Sequence, residues 1–115
     1  KSSAMSSERY RIVYTESAVR DLEEKADYIA LTLREPGLAE TWYLRLRAAI
    51  LENLEKFPKK YPLYPVEKWS AKGVRQFVFR NDVVLYSAEE EKRTVYIWAV
   101  CTKGLDLSGH LEKST

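Results

Sequence analysis

The chain has 115 residues, 45% hydrophobic and 31% charged, with a formal net charge of +2; this suits one globular domain and not a disordered segment. One cysteine and one histidine exclude an internal disulfide framework and a typical structural zinc site, so a reducing cytoplasm is expected and neither metal nor cofactor is. No apolar run nears the roughly 20 residues that cross a bilayer, and no basic stretch leads into an apolar core, so neither a membrane span nor a secretion signal is expected.

Lys1-Ser2-Ser3-Ala4-Met5 reads as a tag remnant. Residues 1–7 are therefore set apart as tag or disordered N-terminus, a domain is expected over 8–104, and 105–115 is a polar tail. From Arg9 to Thr15 the sequence alternates, with Tyr10, Ile12 and Tyr14 on one face, which predicts a strand. Thr15 offers a cap oxygen and Glu16 an anion in the first turn of a helix expected over 16–34. Its apolar stripe is Ala18, Leu22, Ala26, Ile29 and Leu33, and Pro36-Gly37 ends it. A second stripe, Ala39, Trp42, Leu46, Ile50, Leu54 and Phe57, predicts a helix over 38–57 that stops at Pro58. Two such helices on a tight connection form an antiparallel hairpin, which needs a sheet to cover.

Lys59 to Lys72 reads as a loop punctuated by Pro62 and Pro65 and carrying Tyr61, Tyr64 and Trp69. Strands are expected over 74–79, 83–88 and 93–101, with a turn at Arg80-Asn81-Asp82 and another around Glu89-Glu90-Glu91-Lys92. The order β-α-α-β-β-β describes an α+β domain, a helical hairpin packed on an antiparallel sheet.

Charge is segregated along this frame. Between Lys56 and Arg80 stand Lys56, Lys59, Lys60, Lys68, Lys72, Arg75 and Arg80 against Glu67 alone. Between Glu16 and Glu35 six acids oppose three bases. The pattern fits either one cationic face that attracts an acidic partner or two solvated surfaces.

Several motifs lie in a telling order. Asp21-Leu22 and Asp27-Tyr28-Ile29 fall on the first helix; Ala39-Glu40, Leu46, Ile50, Leu54 and Phe57-Pro58 fall on the second. Gly73-Val74-Arg75 opens the first meander strand, and Val84-Leu85-Tyr86 forms the middle of the next. Together, over roughly residues 9–104, they resemble the RelE/ParE toxin superfamily. That resemblance implies the toxin half of a bacterial type II toxin–antitoxin pair, of the kind that stabilises plasmids or genomes. It also implies neutralisation by a cognate antitoxin, with which a homo-oligomer can form. RelE-like members cut messenger RNA on the ribosome, whereas ParE-like members poison DNA gyrase.

Metal-free RNA cleavage needs a base, cations for the phosphate and an acid for the leaving oxygen. By resemblance to RelE-like toxins these come from the meander strands and the C-terminal region. Arg75 matches a basic position, and Lys103 stands where an arginine follows the last strand. The third residue before Tyr86 should be basic and is Val83. Candidate catalytic residues are thus Arg75, Tyr86 and Lys103, and the set is incomplete. Candidate partner- or target-binding residues are Lys72, Arg75, Arg80 and Trp69. Each also has a plainer reading: Arg75 fixing the sheet, Tyr86 in the core, Trp69 (like Trp42 and Trp98) as packing. His110 reads as solvated and Cys101 as buried and inert. The length of the helical hairpin and Val83 favour a ParE-like toxin over a RelE-like ribonuclease, with a toxin-fold binding module that has lost toxicity as a third class.

Overall fold

A computed structural model describes residues 9–103. The expected tag remnant, the C-terminal tail and His110 lie outside the described residues. The elements are β1 (Arg11–Tyr14), α1 (Glu16–Asp27), a π-helical segment (Tyr28–Thr32), α2 (Pro36–Leu54), a 3-10 turn (Pro58–Lys60), a short α3 (Glu67–Ser70), β2 (Arg75–Phe79), β3 (Asp82–Glu89) and β4 (Thr94–Thr102).

The three C-terminal strands form the expected antiparallel meander, β2 against β3 and β3 against β4. β1 joins the outer edge of β4 in parallel, so the sheet is mixed, in the order β1-β4-β3-β2. The helical hairpin between β1 and the meander makes this parallel pairing available. A strand that leaves the sheet, crosses it as helix and returns can lie parallel to its starting point. Thr15 ties the crossover at its root. Its hydroxyl accepts from the Ala18 amide at 3.2 Å, capping α1, and donates to the Ile97 carbonyl of β4 at 2.8 Å.

One face of the sheet packs under the hairpin. Ala18, Leu22, Leu46, Ala49, Ile50 and Leu54 from the helices meet Phe77, Val84, Tyr86, Val95, Ile97 and Val100. The other face is covered too, by the segment expected to be a loop. Tyr64, Trp69 and Val74 seal a second core over Val83, Leu85, Ala99 and Cys101. This explains why β3 and β4 are apolar on both sides.

A bulge lets β4 serve both cores. Leu85 pairs with Ala99 and Tyr86 with Ile97, which leaves Trp98 as the extra residue. Trp98 and Ala99 consequently both belong to the second core, while Ile97 and Val100 face the helices. Next to the bulge the Val100 amide donates to the Asp21 carboxylate at 3.0 Å. The Asp-Leu pair of α1 thus has a physical role: Asp21 satisfies a strand amide and Leu22 enters the core.

Two helical expectations shift. The first helix keeps α geometry only to Asp27, then widens into the π segment, with the Leu33 amide reaching the Tyr28 carbonyl at 3.3 Å. The wider turn rotates Leu33 off its stripe, and it stands 48% exposed. The second helix ends at Leu54, not 57, so Phe57 falls past the stripe and is 69% exposed.

Candidate functional site

Arg75 and Tyr86 are cross-strand partners at one end of the β2–β3 pair. Arg75 donates to the Tyr61 carbonyl at 2.7 Å. The Tyr86 ring is fully buried, and its hydroxyl donates to the Pro58 carbonyl. Burial pushes the Tyr86 phenol well above the ordinary tyrosine value, a rise that Arg75 partly opposes. Both side chains therefore hold the 58–61 segment against the sheet. Nothing in that arrangement offers Tyr86 to a substrate, and the Arg75 fork is partly spent on backbone.

The remaining candidates for RNA cleavage lie elsewhere. Val83 is 4% exposed and belongs to the second core, on the sheet face opposite Tyr86. Lys103 follows β4, where its amide donates to Asn81 at 2.8 Å beside the β2–β3 turn. β2 runs four residue steps from Arg75 to Phe79 before it reaches that turn, about 13 Å at 3.3 Å per residue. Arg75, Tyr86 and Lys103 are not brought together, and no phosphate-sized point is served by all three.

The partner-binding candidates are strung along β2. Lys72 precedes it and is exposed, with its ammonium 4.8 Å from the Trp69 ring centre. Arg80 follows it at the turn, exposed, with a left-handed φ of 58° and its guanidinium 5.4 Å from the Phe79 ring. Trp69 differs from these two and follows its plainer reading as a packing residue. Its side chain is 2% exposed, plugging the second core, so its indole is not open to a partner. The outer edge of β2 is partly covered as well, since the Gln76 amide donates to Pro62 at 3.0 Å and the Tyr64 amide to Val74 at 2.8 Å.

Two features escape a residue-by-residue reading of the sequence. Lys56, Lys59 and Lys60 were visible only as part of a basic run. The fold gathers them with Arg93, from the far end of the β3–β4 turn, around a groove of about 580 Å³. The second is an apolar groove of about 420 Å³ between α1, α2 and β1, floored by Leu22, Ala26 and Ala39. At its rim Arg47 donates to the Tyr43 hydroxyl at 2.9 Å and lies 4.8 Å from the Tyr14 ring. Burial raises the Tyr14 phenol above its ordinary value, with Arg47 pulling the other way. Only the helical periodicity hints at this groove, in the small stripe residues Ala26 and Ala39 that line it. Among the described residues no cluster of three or more His, Cys, Asp or Glu side chains is placed to hold a metal, and no helix is long and apolar enough to cross a membrane.

A four-stranded mixed sheet with a helical hairpin inserted after its first strand is an α+β fold of the kind that the resemblance to RelE/ParE toxins implies. The sequence profile of the ParE toxin of the type II toxin–antitoxin system parDE matches residues 12–103, and the chain belongs to that family. It is the toxin component of a type II toxin–antitoxin system. Among solved structures it is similar to the RelBE2 toxin–antitoxin complex from Mycobacterium tuberculosis, at 21% identity and a TM-score of 0.59, covering 84% of this chain and 94% of that one. It is also similar to the chromosomal ParDE toxin–antitoxin system from P. aeruginosa, at 16% identity and a TM-score of 0.64, covering 82% of this chain and 96% of that one. At these identities the likeness speaks to the fold. No curated protein sequence matches the chain. Its partner is a cognate antitoxin.

Proposed function

We propose that this toxin acts in the cytoplasm by binding DNA gyrase and does not cut messenger RNA. The observation that supports this reading is the use to which Arg75 is put. The meander-strand cation that matches a ribonuclease position, Arg75, is engaged with the Tyr61 carbonyl, and the position three residues before Tyr86, where a second is expected, is a buried valine. Each lost charged hydrogen bond costs about 1.5–3 kcal/mol, and loss of one transition-state donor slows chemistry roughly 10²–10³-fold. A site lacking convergent donors leaves negligible cleavage. The test uses toxin freed of antitoxin. Ribosomes programmed with a short message show no new 5′ ends by primer extension, whereas gyrase accumulates cleaved DNA or loses supercoiling activity. Discrete cuts at the ribosomal A site, abolished by Arg75→Ala, would restore the ribonuclease. Growth unaffected by expression without antitoxin would instead place the chain among toxin-fold binding modules.

The antitoxin is proposed to lie along the helical hairpin and meander, with acidic residues near Lys72, Arg75 and Arg80. Because Arg75 is held by Tyr61, Lys72 and Arg80 offer the more accessible charge. Exposed charges of this kind act mainly on association rate and salt sensitivity. Lys72→Glu with Arg80→Glu should slow association and flatten its dependence on salt, measured by stopped flow or biosensor. Rates unchanged by both reversals place the antitoxin on another face.

A further inference from the structure

We propose that the groove between the end of α2 and the β3–β4 turn binds single-stranded nucleic acid, its cations holding phosphates and Phe57 stacking an unpaired base. This site stands apart from the question of gyrase or ribosome and rests on its own geometry.

The fold builds the groove deliberately. Helix α2 stops at Leu54, and the 3-10 turn at Pro58–Lys60 swings Lys59 and Lys60 back beside Lys56. Tyr86 and Arg75 then pin that turn from below, through the carbonyls of Pro58 and Tyr61. From the other side Arg93 enters with a left-handed φ of 48°, its guanidinium 5.4 Å from the Tyr10 ring. Glu90 is the one acid lining the groove, and it engages Lys59 at 3.0 Å. Among the described residues Lys56 and Lys60 meet no carboxylate within salt-bridge distance. The groove therefore keeps an excess of positive charge, on a segment whose position the sheet fixes.

Phe57 decides the class of partner. It lines the same groove as these cations and is 69% exposed. A cationic track interleaved with an exposed ring is the arrangement that holds single strands. The phosphates meet the lysines, and a base, having a π-face whatever its identity, covers the aromatic. A purely acidic peptide with no apolar side chain would satisfy the lysines and leave the ring in water. The groove volume of about 580 Å³ is ample for one nucleotide unit and lies inside the usual ~300–1,000 Å³ range of ligand pockets.

The experiment is fluorescence anisotropy of the full chain with a short labelled oligouridylate or oligothymidylate, and in parallel with an oligoglutamate peptide of matched charge. Three to four phosphate contacts on a single strand predict that log K falls with log salt at a slope of about −2 to −3. Replacing Lys56, Lys59 and Lys60 together by Gln should reduce that slope to about −0.7, the share of one remaining cation. Phe57→Ala should weaken binding about 5- to 150-fold while leaving the slope intact. Arg45→Gln, on the exposed side of α2, should change neither. All four side chains replaced in the groove are exposed, so the variants keep the fold, which circular dichroism verifies. Oligonucleotide binding that is absent, or that ignores both the lysine and Phe57 substitutions, overturns the proposal. Equal affinity for oligoglutamate, insensitive to Phe57→Ala, overturns it in favour of an acidic protein partner.

Discussion

Asp82 sits in what the sequence presents as a tight turn, Arg80-Asn81-Asp82, where aspartate ordinarily faces water. In the fold it is buried, and its carboxylate accepts from Lys25 of α1 and, at 2.8 Å, from the Trp42 indole of α2. One side chain thus fastens both helices to the start of β3. Lys25 also lies 5.4 Å from the Trp42 ring, so the three groups form one cluster. Removing one member of a buried ion pair costs about 3–5 kcal/mol, because the other charge is left uncompensated. Lys25 is partly open and can regain water, so Asp82→Ala is expected to cost about 3 kcal/mol, the lower end of that range. Asp82→Asn keeps an acceptor for Trp42 and should cost roughly half as much. Urea denaturation measures both; a loss below about 0.5 kcal/mol for Asp82→Ala would show that the cluster adds nothing to stability. The turn chemistry that led the sequence reading to Asp82 is correct. What it lacks is the distant pair of donors, 57 and 40 residues away, that turn a solvated carboxylate into a joint between layers.

Helix α1 and its π-helical extension separate what local pattern determines from what packing determines. The start of α1 was legible because capping is local: Thr15 caps and Glu16 follows, as expected. The stripe through Ile29 also holds, since Ala18, Leu22 and Ile29 are buried. The end departs from expectation because the chain must turn toward α2 before Pro36 without a glycine in the turning position. Arg34 takes that role in a left-handed conformation, φ 57°, where a residue with a Cβ is strained by about 1–2 kcal/mol. Glycine removes the strain but adds about 0.5–1 kcal/mol of conformational entropy to the unfolded chain. The difference predicts that Arg34→Gly stabilises by about 0.5–1 kcal/mol, and Arg34→Val, β-branched, destabilises. Thermal unfolding of the two variants orders them; a glycine variant less stable than the parent would mean that the arginine side chain compensates its own backbone. The same divide runs through the candidate site. The basic run and the sheet residues Arg75 and Tyr86 could be read from sequence. Their attachment to the backbone of residues 58–61, and the gathering of Arg93 beside Lys56, depend on a register that no local pattern encodes.

Across the whole molecule the sheet is sealed from both faces, and the two seals differ in kind. The hairpin side is built from long helices and many apolar residues. The other side rests on a short segment centred on Trp69, which sequence presents as a proline-punctuated basic loop. That reading missed the cover because aromatics in a polar loop carry no periodicity; the burial of Tyr64 and Trp69 follows only once β3 and β4 are known to need a second lid, while Tyr61 packs toward the helix-side core. Cys101 lies beneath this lid, 5% exposed, and burial pushes its thiol from the ordinary 9.0 up to about 12. Near neutral pH the native protein therefore presents almost no accessible thiolate, and alkylation must await opening. Trp69→Ala removes the centre of the lid, at a cost of about 3–5 kcal/mol for a buried tryptophan. If the lid opens as a local unit, that cost falls on lid closure, and Cys101 alkylation accelerates about 10²–10⁴-fold under native conditions. Leu46→Ala, in the helix-facing core, carries a cost of about 2–5 kcal/mol yet leaves the lid in place. It should accelerate labelling only as far as it raises global unfolding. Measuring iodoacetamide labelling beside urea stability for both variants separates the two cases. Faster labelling in Trp69→Ala than in a Leu46→Ala protein of matched stability establishes a lid that opens independently of the main core. Equal labelling at equal stability would mean that the two cores open only together, and that the basic segment over Trp69 is as firmly part of the fold as the helices.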